Sequence, residues 1–127
     1  MITNFEEITK ELTDYELNTV VPAVILGLKN KIGKENAISN HKMIIGLKDK
    51  LNIKISQPRV RKIIQYIRIT GKIERLMATS KGYYICNIEY ELRDYIESLM
   101  QRANSIERIA NQLEFQTNKF INNTNKP

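Results

Sequence analysis

Cysteine occurs once in the 127 residues, as Cys86, so no intramolecular disulfide can form, as suits a reducing compartment. Histidine also occurs once. His41 has no Cys, His or paired carboxylate at ligand spacing around it, so no metal site is expected and its side chain should be exposed or face a phosphate. No apolar run approaches the roughly 20 residues that a membrane span requires. The acidic start does not follow the signal-peptide pattern either, which predicts a cytoplasmic protein with no membrane partner. Phosphate-cradling glycine loops, acid pairs with a matching base and a base partner for Cys86 are all missing. No catalytic residue, cofactor or enzymatic activity is therefore expected, and Cys86 reads as a small buried packing residue.

What the sequence does have is charge of one sign in one place. The net charge is +6, but residues 1–19 carry one Lys against five acids (−4), residues 20–85 carry fourteen Lys or Arg against three acids (+11), and residues 86–127 carry five against six (−1). An even spread of basic residues would not produce that contrast. A positive field concentrated on the middle of the chain is the footprint expected for a polyanion partner. The length suits one domain with an appendage, and 42% hydrophobic with 27% charged content is that of a globular protein.

The basic middle contains the organising stretch, Ser39 to Cys86. Ser39 can cap a helix whose apolar positions are Ile44, Leu47 and Leu51. After the connector Asn52–Ile55, Ser56-Gln57-Pro58 signals a second start, with Pro in the first turn where its missing N–H costs nothing. Val60, Ile63, Ile64 and Ile67 then fall in one inward arc at about 100° per residue. The opposite arc holds Pro58, Lys62 and Gln65, flanked by Arg59, Arg61, Tyr66 and Arg68, a mixture able to reach guanine edges, adenines and phosphates. An ordinary solvated helix would carry similar charges. A helix before it and a hairpin after it favour the binding reading.

Gly71 stops this helix. Lys72–Ala78 and Tyr83–Asn87 flank Thr79-Ser80-Lys81-Gly82, which reads as a four-residue hairpin loop. Lys81 and Arg75 are the candidate phosphate contacts, Thr79 and Ser80 candidate hydroxyl donors, and Tyr83 and Tyr84 candidate packing residues.

On these residues a resemblance can be stated. Gly33-Lys-Glu-Asn-Ala-Ile-Ser39, Val60-Arg-Lys-Ile-Ile-Gln-Tyr-Ile-Arg68 ending at Gly71, and Gly82-Tyr-Tyr-Ile85 resemble winged-helix domains carried by bacteriophages and mobile elements. The likeness covers roughly Asp14 to Glu114. It implies a winged helix-turn-helix fold and a role as regulator, replication-origin binder or protein-docking module, with no catalytic residue to carry over.

On either side lie helices. Phe5, Ile8 and Leu12 allow a short leading helix, and Thr13-Asp-Tyr-Glu16 is a capping box opening a helix with the stripe Leu17, Val20, Val21, Val24, Ile25, Leu28 and Ile32. Pro22 should bend that helix and Gly33 should end it. Ala37-Ile38 is a candidate minimal strand beside the hairpin. Beyond Asn87, Leu92, Ile96, Leu99, Ala103, Ile106, Ala110 and Leu113 repeat at alternating spacings of four and three, a heptad stripe. Glu89 to Glu114 would span about 39 Å as a helix, more than a small core of about 25–30 Å can cover. A homodimer through this stripe is one reading, and packing on the first helix of the same chain is the other.

The expectation is thus a mainly α protein with a small β-hairpin (α+β), a winged helix-turn-helix with a long C-terminal helix. Residues 1–12 would be an acidic segment, 13–87 the winged-helix domain, 88–115 the long helix and 116–127 a flexible tail. The expected partner is double-stranded DNA, contacted through Gln57, Arg59, Arg61, Lys62, Gln65, Arg68, Arg75, Thr79, Ser80 and Lys81. A phage or mobile-element transcription regulator or replication accessory would fit. The rival is a winged-helix module that inhibits or recruits a host protein, for example a host nuclease or defence system.

Overall fold

The computed structural model describes residues 11–124 and divides the chain into two compact units, Met1–Asn87 and Ile88–Pro127. It is mainly helical with one small two-stranded antiparallel sheet. The expected leading helix around Phe5 and Ile8 lies outside the described residues.

The first unit opens on the capping box. The Thr13 N–H donates to Glu16 Oε1 at 2.9 Å and the Glu16 N–H donates to Thr13 Oγ1 at 3.1 Å, satisfying two donors that a helix start leaves unpaired. The helix that follows, α1, begins as a π-helical turn, Glu16–Val20, and continues as the α-helix Val21–Leu28. Pro22 explains the π turn. It has no N–H to give the Asn18 carbonyl, and its ring crowds that carbonyl. The widened turn relieves both problems, with the Val21 N–H reaching back to Glu16 O. The bend expected at Pro22 therefore takes the form of a local change of helix type.

α1 ends at Leu28 and not at Gly33. The reason is competition from the hairpin: the Gly33 N–H donates to Ile85 O at 2.9 Å and the Ile85 N–H donates to Lys31 O at 2.7 Å, a parallel bridge that pulls 31–33 out of the helical path. Ile32, expected in the stripe, is consequently exposed.

Helix α2, Asn40–Leu51, is capped by Ser39, whose Oγ accepts from the Lys42 N–H at 3.1 Å, and closes on Asn52 in the left-handed conformation. Its inward residues are Met43 and Leu47, with Ile44 half-buried; Leu51 is exposed, so Met43 takes the place in the core that its spacing had suggested for Leu51. Ile53 in the connector is buried too. Helix α3, Gln57–Thr70, starts at Ser56 and ends on Gly71 at φ 71°. Val60, Ile63, Ile64 and Ile67 are all buried as their arc demands. Pro58 departs from expectation, being buried where the wheel had placed it outward.

Strands β1, Leu76–Thr79, and β2, Gly82–Ile85, pair in antiparallel register with Thr79 opposite Gly82. The turn is therefore the two residues Ser80-Lys81, and the expected four-residue loop is not formed. Ile38 supplies a one-residue third strand: its N–H donates to Tyr83 O at 3.0 Å and accepts the Tyr83 N–H on its own carbonyl at 2.8 Å. This approach requires glycine at position 82, since a Cβ there would overlap the Ile38 carbonyl. The core joins the inner faces of α1, α2 and α3 with Ile53, Leu76 and Tyr83, while Met77, Tyr84 and Cys86 are buried as well.

The second unit is a single helix, α4, Glu89–Thr124, of 36 residues, about 54 Å long at 1.5 Å per residue. It extends through Gln116–Thr124, which the composition had suggested as a tail. None of its residues is buried.

Candidate nucleic-acid interface

The four apolar residues Val60, Ile63, Ile64 and Ile67, each no more than 2% exposed, fix the rotation of α3 about its axis. With that arc locked inward, the opposite arc is presented outward. Gln57, Arg61, Gln65 and Ile69 are exposed, and Lys62, Tyr66 and Arg68 are half-buried at its edges.

The two edges differ. On one, Arg61 and Arg68 approach Tyr83 of β2. Burial pushes the Tyr83 phenol above its ordinary range and these two guanidiniums partly offset that shift. The Tyr83 hydroxyl donates to Asn40 Oδ1 at 3.2 Å, which ties the start of α2 to the hairpin beside them. The other amide atom of Asn40, Nδ2, is buried without a hydrogen-bond partner. On the other edge, Lys62, Gln65, Tyr66 and Ile69 border a groove of about 200 Å³ together with Glu11, Leu12 and Leu17. Lys72 Nζ sits 6.0 Å from the Tyr66 ring centroid, at the outer limit of a cation–π contact.

Arg59, expected to project toward nucleic acid, is committed elsewhere. Its Nε donates to Glu16 Oε2 at 2.9 Å, its Nη2 pairs with Glu16 Oε1, and Nη2 also donates to the Glu11 carbonyl at 3.1 Å. The two side chains are 11% and 12% exposed. Hydrogen bonding from Arg59 holds the Glu16 carboxyl below its ordinary range, against the opposing pull of desolvation, with Thr13 adding to the lowering. Arg59 thus joins α3 to the start of α1 and is a structural residue.

The hairpin residues also separate by role. Thr79 works within the turn, its Oγ1 accepting from the Lys81 N–H at 3.1 Å and donating to Gly82 O at 3.4 Å. Ser80 and Lys81 are exposed at the tip. Arg75, exposed and at φ 60°, lies at the base. The four residues of β1 stand between them, about 13 Å of strand. Arg75 and Lys81 therefore mark the two ends of the hairpin.

His41 is exposed and Cys86 buried. Among the described residues no three His, Cys, Asp or Glu side chains are grouped to hold a metal ion, and no helix is long and apolar enough to cross a membrane. The contribution of Asn40 was not foreseen. It sits behind a capping Ser, and its partner Tyr83 is 43 residues away, so no local pattern announces the contact. Compared with protein-family models, curated proteins and solved structures, the chain gives no match.

Proposed function

We propose that the unit Met1–Asn87 is a winged-helix domain that binds double-stranded DNA, with α3 in the major groove and the hairpin as the wing. The observation that supports this reading best is the composition of the outward arc of α3. Arg61 and Gln65 stand one turn apart, both exposed, with Gln57 before them and Arg68 after them, and this row contains no acid. Arg can pair bidentately with guanine and Gln with adenine, while Arg68 and Lys62 at the edges suit phosphates. Lys81 at the hairpin tip would meet the backbone at a second point. Arg59 and Thr79 leave the set of DNA contacts, being engaged within the fold.

The same reading makes the protein a homodimer. The stripe residues Ile96, Leu99, Ile106 and Leu113 of α4 are each at least 38% exposed, and the heptad spacing continues through Thr117 and Phe120 to Thr124. A second copy of the helix offers a matching stripe, and a two-fold dimer suits an inverted repeat. Regulation of transcription or assistance to replication in a phage or mobile element is the role we infer.

The test is a polarisation titration of labelled duplex pools across a salt series. Arg61→Ala with Gln65→Ala should weaken binding, and each lost phosphate contact, as in Arg68→Ala, should lower the log–log salt slope by roughly 0.9. Arg59→Ala should leave the slope unchanged. Wild-type affinity and slope in the Arg61/Gln65 and Arg68 variants would overturn the assignment.

A further inference from the structure

The first unit has a second surface, built on different chemistry from the α3 arc. α1 and α2 border a groove of about 350 Å³ whose floor includes the buried Val24, Met43 and Leu47. Its walls include Leu26 and Leu51, 69% and 56% exposed, large apolar side chains facing water. The groove is open because Gly27 and Gly46 line it without side chains. Each glycine lies within a helix, where it costs roughly 0.5–1 kcal/mol relative to Ala. A Cβ at either would meet no atom within 4 Å, so packing does not require them. What their absent side chains provide is room. Lys31, Lys42 and Lys50 also line it, and no acidic residue contributes to it.

We propose that this groove docks an amphipathic helix of a partner protein, with an apolar stripe laid between α1 and α2 and Asp or Glu on its flanks against the three lysines. The chemistry selects a helix over other peptide forms. An extended strand is recognised by unpaired backbone groups of a sheet edge, whereas both long walls here are helices with their backbone bonds internally satisfied. A polyproline segment is recognised by an aromatic-lined groove, and no aromatic residue lines this one. The α2 lining runs from Lys42 to Leu51 along one face, about 13 Å, enough for two turns of a ligand helix with anchors at i, i+4 and i+7. The lysines fix the sign of its charge. None of the lining residues belongs to α3, so a partner and a duplex can be held by one protomer together.

The full-length ¹⁵N-labelled protein is titrated with a synthetic amphipathic helix bearing Leu at i, i+3, i+4 and i+7 and Glu on both flanks, with a Lys-flanked version and palmitate as comparisons. The acidic peptide should shift amides of Ala23–Gly27 and Lys42–Leu51. Gly46→Leu, which fills the groove, should raise its dissociation constant by about tenfold or more. Lys42→Glu with Lys50→Glu, two exposed positions that cannot disturb the core, should do the same and allow the Lys-flanked peptide to bind. Equal binding of both peptides to the wild type, shifts centred on Arg61 and Arg68, or an affinity untouched by these variants would overturn the proposal. So would saturation by palmitate without a response to the acidic peptide, or a Gly46→Leu effect confined to self-association.

Discussion

α3 and α4 carry the same signal, apolar residues at helical spacing, and meet opposite fates. In α3 the stripe Val60, Ile63, Ile64 and Ile67 is at most 2% exposed, whereas in α4 Ile96, Leu99, Ile106 and Leu113 are 38% to 68% exposed. Full burial of such a side chain is worth about 1.5–3 kcal/mol, so the first helix has that stabilisation from its own chain and the second still lacks it. Periodicity specifies which face must be covered and is silent on what covers it. A 36-residue helix with no fully buried residue draws largely on marginal intrinsic propensity, so α4 is where association should add most.

The contrast breaks first on core truncation. Ile63→Ala, at a site with 0% exposure, should lose about 2–5 kcal/mol through a cavity, seen as a lower urea midpoint that does not vary with protein concentration. Ile106→Ala should barely change the midpoint of the first unit. Ile106→Asp is the sharper probe of α4: it should raise the dimer dissociation constant by at least about a hundredfold, since a charge enters a stripe that association would bury. Sedimentation equilibrium measures this directly, and an unchanged association state would remove the second copy from the argument.

Next in size is the bond between α3 and the start of α1. Arg59→Ala or Glu16→Gln should cost about 1–2 kcal/mol at neutral pH, less than a fully buried pair because both side chains retain some exposure. The Glu16 carboxyl is lowered from an ordinary value of 4.5 in the folded protein. Its contribution is therefore present above that value and is lost as pH falls through the folded value. Denaturant melts of wild type and Glu16→Gln at descending pH should converge on the acid side.

These sizes follow how far each feature could be read from sequence. The capping box, the caps at Ser39 and Ser56 and the inward arc of α3 all depend on residues a few positions apart, and they were legible. What was hidden depends on distance along the chain. Arg59 is paired with Glu16 across 43 residues, and the wheel of α3 alone could not separate it from Arg61. Ile85, likewise, ends α1 early by taking hydrogen bonds at Lys31 and Gly33. The loop Thr79–Gly82 was misjudged by two residues because register, not composition, decides where pairing stops.

The smallest expected effect tests whether the first unit is optimised throughout. Gly46→Ala introduces a Cβ that meets nothing within 4 Å and should raise stability by about 0.5–1 kcal/mol. Gly82→Ala offers the opposite case, at φ 118° against the Ile38 carbonyl, and should destabilise the hairpin. If calorimetry finds both outcomes, one glycine is there for the fold and the other is kept at the expense of stability, in a wall of the groove between α1 and α2. If Gly46→Ala instead lowers Tm, the position serves packing, and the openness of that groove has a structural cause.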